Sequence, residues 1–308
     1  MRQTAYLTHP SFLLHDMGDG HPECPARLHA IDDQLIAQRI ADFLYTVDAP
    51  RATTEQLERV HDSDYVKFIF QRAPQSGMVH VDHETLMNPH SLDAALHAAG
   101  ASIAAVDLVL SGKVMNAFCA VRPPGHHAER DRAMGFCLFN NVAVGAGHAL
   151  TDGGLERVAV LDFDVHHGNG SEHIFQGNDQ VLYCSIYQHP FYPPLAPGMP
   201  AANIVRCPLP AGSDGEAYRR AILDVWIPQL QQFRPQMLLL SAGFDAHYLD
   251  PLADMRLTEN DFEWITRTLV EFASEYCNGR LVSTLEGGYD LGALARSVCV
   301  HVKSLMGI

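Results

Sequence analysis

The chain has 308 residues, 47% of them hydrophobic and 19% charged, a mixture that folds around a core and excludes a disordered polymer. Its 21 basic against 36 acidic residues leave a net charge of −15, which opposes non-specific binding to nucleic acid or to an anionic lipid surface. The 18 histidines direct attention to metal or proton chemistry.

The N-terminal stretch, MRQTAYLTHPSFLLHDMGDG, holds no long apolar run of the kind a secretory leader needs. Further on, the apolar runs read as broken too early to cross a bilayer. The seven cysteines, Cys24, Cys119, Cys137, Cys184, Cys207, Cys277 and Cys299, are odd in number and form no CxxC pair. That argues against a zinc ribbon and against a fully paired disulfide framework. The expectation is a soluble chain in a reducing, cytoplasmic setting, without membrane or direct nucleic-acid contact.

Short apolar runs predict strands at Ala5–Thr8, Ala117–Arg122, Val158–Asp162, Val181–Ile186, Met237–Ser241 and Leu281–Leu285. Several are continuously apolar, as parallel strands covered on both faces are. Helical patterns fall at about Ser91–Leu110, Asn140–Leu150, Gly215–Gln232, Thr258–Tyr276 and Leu291–Met306. In the first, Leu92, Ala95, Ala99, Ile103, Val106 and Leu110 form a stripe suited to packing on a sheet. Thr258 with Asp261 reads as a capping box in which Asp replaces the usual Glu or Gln. The alternation predicts an open, mostly parallel α/β sheet with helices on both faces, in one domain over residues 1–308. The segment HPFYPPLAPGMP, His189–Pro200, predicts a stiff irregular loop. It is either a surface connection or an apolar wall beside a site.

The polar and glycine-rich segments Pro123–Arg130, Asp162–Gly170, Ser241–Pro251 and Glu286–Asp290 follow predicted strands. In an open parallel sheet the carboxyl ends of the strands form the ligand crevice. In VAVLDFDVHHGNG, Asp162, Asp164 and His166 point the same way along an extended chain. Carboxylate and imidazole at that spacing suit a borderline divalent ion such as zinc, although one of them can orient a neighbour instead. The adjacent His126 and His127 can divide acid and base roles if their partners tune them differently. Phe136, after Gly135, is either a core residue or a pocket wall. Asp245 follows another buried strand and is a candidate third ligand, with His247 competing for that place. Gly287 and Gly288 permit unusual dihedrals and can project Tyr289 toward a developing oxyanion. HExxH, Walker A and GxSxG patterns do not occur, which puts metal-assisted hydrolysis ahead of nucleotide or covalent chemistry.

Taken in order, RPPGHH, GFCLFNN, DFDVHHGNG, SAGFDAH and LEGGYDL resemble the histone deacetylase and acetylpolyamine amidohydrolase family, with its arginase–deacetylase fold. The likeness extends from His21–Leu28 to Glu286–Leu291 and is closer to the class II branch and its bacterial relatives. It implies one catalytic zinc held by Asp164, His166 and Asp245. It implies tandem catalytic histidines, His126 oriented by Asp162, and His127 paired with Asn169 where class I members have Asp. Tyr289 resembles the tyrosine that polarises the acetyl carbonyl. Phe136 and Tyr192 resemble the aromatic walls of an acyl-lysine tunnel, and Leu252 occupies its gate position. The resemblance also implies a monovalent cation, usually potassium, around Asp162, Asp164, His166 and Ser185, and a more distant one near Phe175 and Val181. The arginase branch reads D-x-H-x-D, whereas Gly168 stands here after His166; a single zinc is the reading that follows.

The implied reaction is removal of acetyl groups from N6-acetyl-lysine in proteins or peptides, with His127 as base and then acid. The alternative substrates are acetylpolyamines or other small acylated amines. Leu252 at the gate weakens a dedicated polyamine reading, while Glu84, Asp82 and Asp16 are candidate rim acids. An alternative of another class is a non-catalytic scaffold that binds acyl-lysine.

Overall fold

The computed structural model describes residues 3–194 and 199–308. Residues 195–198 of the expected stiff loop therefore lie outside the described residues. The strands are β1 (Thr4–Thr8), β2 (Tyr45–Asp48), β3 (Val79–His80), β4 (Leu86–Met87), β5 (Asn116–Cys119), β6 (Val158–Asp162), β7 (Val181–Gln188), β8 (Ile204–Leu209), β9 (Leu238–Ala242) and β10 (Leu281–Leu285). The helices are α1 (Ala26–Ala37), α2 (Thr54–Glu58), α3 (Ser63–Arg72), α4 (Ser91–Leu110), α5 (Asn141–Thr151), α6 (Asn169–Phe175), α7 (Gly215–Ala221), α8 (Ile227–Phe233), α9 (Glu259–Tyr276) and α10 (Leu291–Met306).

Eight strands form one sheet in the order β2-β1-β5-β10-β9-β6-β7-β8, and every pairing in it is parallel. β3 and β4 make a separate antiparallel pair. The central β6, β9 and β10 are buried at every position, which is why they read as mainly apolar runs. Two neighbours on β10 show that helices cover both faces. Ser283 meets His301 of α10 at 2.8 Å, while Thr284 meets Ser102 of α4 at 3.3 Å. Successive strand side chains point to opposite faces, so α4 and α10 lie on opposite sides of the sheet.

The edge strands β2 and β8 were not expected. β2 alternates half-buried with exposed residues, and β8 carries Arg206 and Pro208. Neither offers the apolar run of an interior strand. β5 stops at Cys119, short of the expected Arg122, whose buried guanidinium turns to Glu23 and to the carbonyls of Phe12 and His15. The expected helix Gly215–Gln232 is interrupted by a wider turn at Ile222–Trp226 between α7 and α8. Pro228 has no N–H to continue the ladder there. At Thr258 the Asp261 carboxylate accepts from both the N–H and the hydroxyl, each at 2.9 Å.

α4 corrects the expectation that every apolar run is too short to span a bilayer, since by length and composition it is long and apolar enough. The reason is internal. α4 packs against α5 and against β1, β5 and β10. It is buried nearly all round rather than along one stripe, with Leu92 and Leu110 only half-buried at its ends.

Candidate active site

The motif segments leave the carboxyl ends of β5, β10, β9 and β6, which are four consecutive strands of the sheet. Neighbouring strands start their loops about 4.8 Å apart, so residues from 126 to 289 converge on one crevice.

At the end of β6, Asp162 is buried and accepts from the Tyr183 hydroxyl at 2.9 Å. Two residues on, Asp164 Oδ1 accepts from the His166 N–H at 2.9 Å, and its Oδ2 accepts from the Gly287 N–H at 2.8 Å. Asp245, three residues past β9, accepts from the Val165 N–H through Oδ1 at 2.9 Å. His166 Nδ1 then stands 3.1 Å from Asp164 Oδ1 and 3.1 Å from Asp245 Oδ2. One donor atom from each of the three residues lies within 4.8 Å of the others. Gly243 and Gly287 make this approach possible, because a Cβ at either would strike the carboxylates. His247 does not join the cluster. Its Nδ1 accepts from the Leu249 N–H at 3.2 Å and its Nε2 faces Glu259 at 3.5 Å.

The electrostatics of the cluster favour a cation. Burial opposes a charge on His166, but the two carboxylates outweigh it and lift its pKa to about 10. Burial and the neighbouring Asp164 push Asp245 up to about 7. Against the effect of burial, the histidines beside Asp164 hold its carboxyl well below the ordinary range, so the protons of the cluster sit on His166 and Asp245, where a divalent ion with mixed N and O donors fits.

The tandem histidines sit beside this cluster with ring centroids 4.0 Å apart. His126 Nδ1 faces Asp162 Oδ2 at 3.1 Å, and Nε2 is 3.8 Å from Asp164 Oδ1. Burial disfavours its charge, yet Asp164 and Asp162 raise its pKa well above the ordinary range. His127 Nδ1 faces Asn169 Oδ1 at 2.8 Å. Burial, then His126 and His166, hold its pKa well below the ordinary range. The two adjacent rings are thus tuned in opposite directions by their partners.

A cavity of about 220 Å³ opens over these groups, lined by Glu84, His127, Gly135, Phe136, His166, Phe191, Tyr192, Leu252 and Tyr289. Phe136 holds a left-handed backbone, φ 69, which L residues adopt at a cost. Its N–H donates to Thr85 Oγ1 at 3.1 Å. Tyr289 is half-buried, with the Arg27 guanidinium 5.0 Å from its ring centroid. Its N–H donates to Asp250 Oδ2 at 2.7 Å, and burial pushes its hydroxyl pKa well up.

Of the candidate rim acids, only Glu84 lines the cavity. Asp82 accepts from the N–H groups of Glu84 and Thr85 in its own turn, and Asp16 from the Gly18 N–H. Ser185 is buried, 3.3 Å from His167 Nδ1. The carbonyls of Phe175 and Val181 accept from Asn203 Nδ2 at 2.8 and 2.9 Å.

Sequence reasoning missed Phe191, whose ring stacks on His166 at 5.5 Å. It also missed Glu286. That buried carboxylate accepts from the N–H groups of Gly125 at 2.6 Å and His126 at 3.1 Å, and from the Ser241 hydroxyl at 3.0 Å. The only signal was its place beside Gly287–Gly288 at a strand end.

The histone deacetylase domain model matches residues 21–305. Over 94% of this chain and 78% of its own length, the histone deacetylase-like amidohydrolase of Pseudomonas aeruginosa is 38% identical. The polyamine deacetylase HDAC10 of Mus musculus is 36% identical over 96% of this chain and 46% of its own length. The crystal structure of the HDA15 HD domain superposes with a TM-score of 0.93 at 33% identity, covering 99% of this chain and 88% of that one.

Proposed function

The chain belongs to the histone deacetylase family of hydrolases, and from that premise we propose that it is a zinc-dependent amidohydrolase acting on N6-acetyl-lysine side chains of proteins or peptides. The observation that carries this reading is the meeting of His166, His127 and Tyr289 in one cavity walled by Phe136, Tyr192 and Leu252.

Asp164, His166 and Asp245 would hold one zinc ion, which when bound lowers the pKa of water and polarises an amide carbonyl. His127 accepts the proton of the attacking water. Its low pKa keeps it neutral near pH 7, and Asn169 beside it adds no charge. The same ring then returns the proton to the departing amine. His126, held at Nδ1 by Asp162, acts electrostatically and as an orienting group. Tyr289 keeps its proton and donates a hydrogen bond to the developing oxyanion. The apolar walls take the aliphatic stem of the substrate.

A potassium ion at Asp162, Asp164, His166 and Ser185 belongs to the same proposal. In its support, the carbonyls of Asp164 and His166 accept no hydrogen bond from any described residue. The cytoplasm is the proposed setting, supported by seven free cysteines, six of them buried. With a net charge of −15, acetylated proteins, peptides or amines are the partners proposed, and nucleic acid or membrane are not.

A second reading, hydrolysis of a small acetylated amine, draws support from the Glu84 carboxylate in the cavity. Rates on an acetyl-lysine peptide and on an acetylpolyamine, measured at matched zinc content, decide between them. The peptide is expected to be turned over faster, with most turnover lost in His127→Ala while zinc stays bound. Faster turnover of the polyamine overturns the substrate assignment. Binding with no turnover of either makes the protein a scaffold.

A further inference from the structure

We propose that Glu129, two residues past the tandem histidines, is a positioning residue that sets which nitrogen of His127 carries the proton. The proposal rests on the reading of His127 as the base. A base must present a bare lone pair, so its proton must sit on the ring nitrogen turned away from the substrate.

That nitrogen, Nδ1, faces Asn169 Oδ1 at 2.8 Å. An Asn side chain can present either an acceptor or a donor there, and the surroundings choose. On the other side of the amide stand three acceptors. Glu129 Oε1 is 2.7 Å from Asn169 Nδ2, Met134 Sδ is 3.1 Å away and the His127 carbonyl 3.4 Å. A carboxylate only accepts, so the NH₂ group must face it and Oδ1 must face His127. The ring then donates from Nδ1 and leaves Nε2 bare. The flipped amide would set oxygen against carboxylate and force the proton onto Nε2.

Glu129 is itself held in place. Its carbonyl accepts from His61 Nδ1 at 2.8 Å, and its N–H donates to the Arg132 carbonyl at 2.9 Å. The Asn140 N–H donates to His61 Nε2 at 2.9 Å, which fixes Nδ1 as the protonated nitrogen of that ring. The Glu129 carboxylate accepts from Arg132 at 2.6 Å and faces His173 Nδ1 at 3.2 Å. Of the three acceptors only Glu129 carries a charge. A hydrogen bond to a charged group corresponds to a bias of roughly tenfold or more. Glu129 and Asn169 also line a second cavity, of about 400 Å³, so a smaller side chain there enlarges an existing space.

The test compares Glu129→Ala and Glu129→Gln with the parent as zinc-loaded protein. The readouts are kcat and KM on one acetyl-lysine peptide and the ¹⁵N shifts of His127, assigned by their loss in His127→Ala. The parent is expected to show a protonated Nδ1 and a bare Nε2. Glu129→Ala is expected to shift protonation toward Nε2 and to lower kcat about tenfold with little change in KM. Glu129→Gln keeps an acceptor oxygen and is expected to restore most of both. A parent protonated on Nε2, or an Ala variant whose tautomer is unchanged, overturns the proposal whatever kcat does. A shifted tautomer with kcat unchanged upholds Glu129 and instead removes His127 as the base.

Discussion

Gly287 donates its N–H to Asp164 Oδ2 at 2.8 Å, tying the loop after β10 to the loop after β6 across the intervening β9. The bond fixes one carboxylate oxygen and leaves Oδ1 beside His166. A side chain at 287 would meet both Asp164 and Asp245. Gly287→Ala is therefore expected to keep the fold and lose metal. Overpacking of this kind costs about 1–3 kcal/mol. Zinc per chain after dialysis, with circular dichroism and Tm alongside, checks it; full zinc content in the variant would show that the loop yields.

Metal loading is expected to release protons. His166 is raised to about 10 in the metal-free protein, and a histidine must lose that proton to become a metal ligand. At pH 8 at least one proton should leave per ion bound, and affinity should rise about tenfold per pH unit. The linkage sign is that of a raised histidine. Its contribution to the metal-free fold is full below the unfolded value of about 6.5 and is lost as pH rises through about 10. Calorimetric titration in two buffers of different ionisation enthalpy measures the release, and identical heats would refute it.

The central strands were legible because burial on both faces leaves β6, β9 and β10 mostly apolar, with only Asp162, Ser241, Ser283 and Thr284 as polar members. Asp164, His166 and Asp245 were legible because each is a charged or polar residue close behind such a strand. β2 and β8 were not, since an edge strand with one solvated side loses the apolar run. Phe191 was obscured by its own composition: in HPFYPP either aromatic can face the cavity, and both do. Glu286 and Glu129 act on backbone N–H groups and on an amide brought near only by folding. No local pattern marks such partners. The resemblance carried the roles of His126 and His127, which their spacing alone left open.

Glu286→Ala probes the hidden anchor of the histidine turn. The Glu286 carboxylate gathers two backbone N–H groups and a hydroxyl while fully buried, and that burial raises its pKa to about 7. A methyl group in its place accepts from none of the three donors. Leaving a buried donor unsatisfied costs about 1–3 kcal/mol. Lower Tm and reduced kcat with zinc retained are expected. Unchanged Tm would mean that Gly125 and His126 find other acceptors.

Tyr289→Phe separates the oxyanion role from packing. The ring is held by Arg27 at 5.0 Å from its centroid and by the edge of Phe136 at 6.1 Å between centroids. Phenylalanine fills the same space, so fold, zinc content and substrate binding should persist. Burial keeps the hydroxyl protonated well above pH 10, so the parent offers a donor across the working range. Its partner develops charge mainly in the transition state, and such a donor acts on kcat rather than on KM. Losing one costs about 3–4 kcal/mol, or roughly 100- to 1000-fold in rate. Since a bound zinc ion would polarise the same oxygen, the lower end is the expected value. Both constants are measured on one acetyl-lysine peptide at matched zinc content. A fall confined to KM would move Tyr289 into ground-state binding, and no change in either would reduce Gly287–Gly288–Tyr289 to a structural turn.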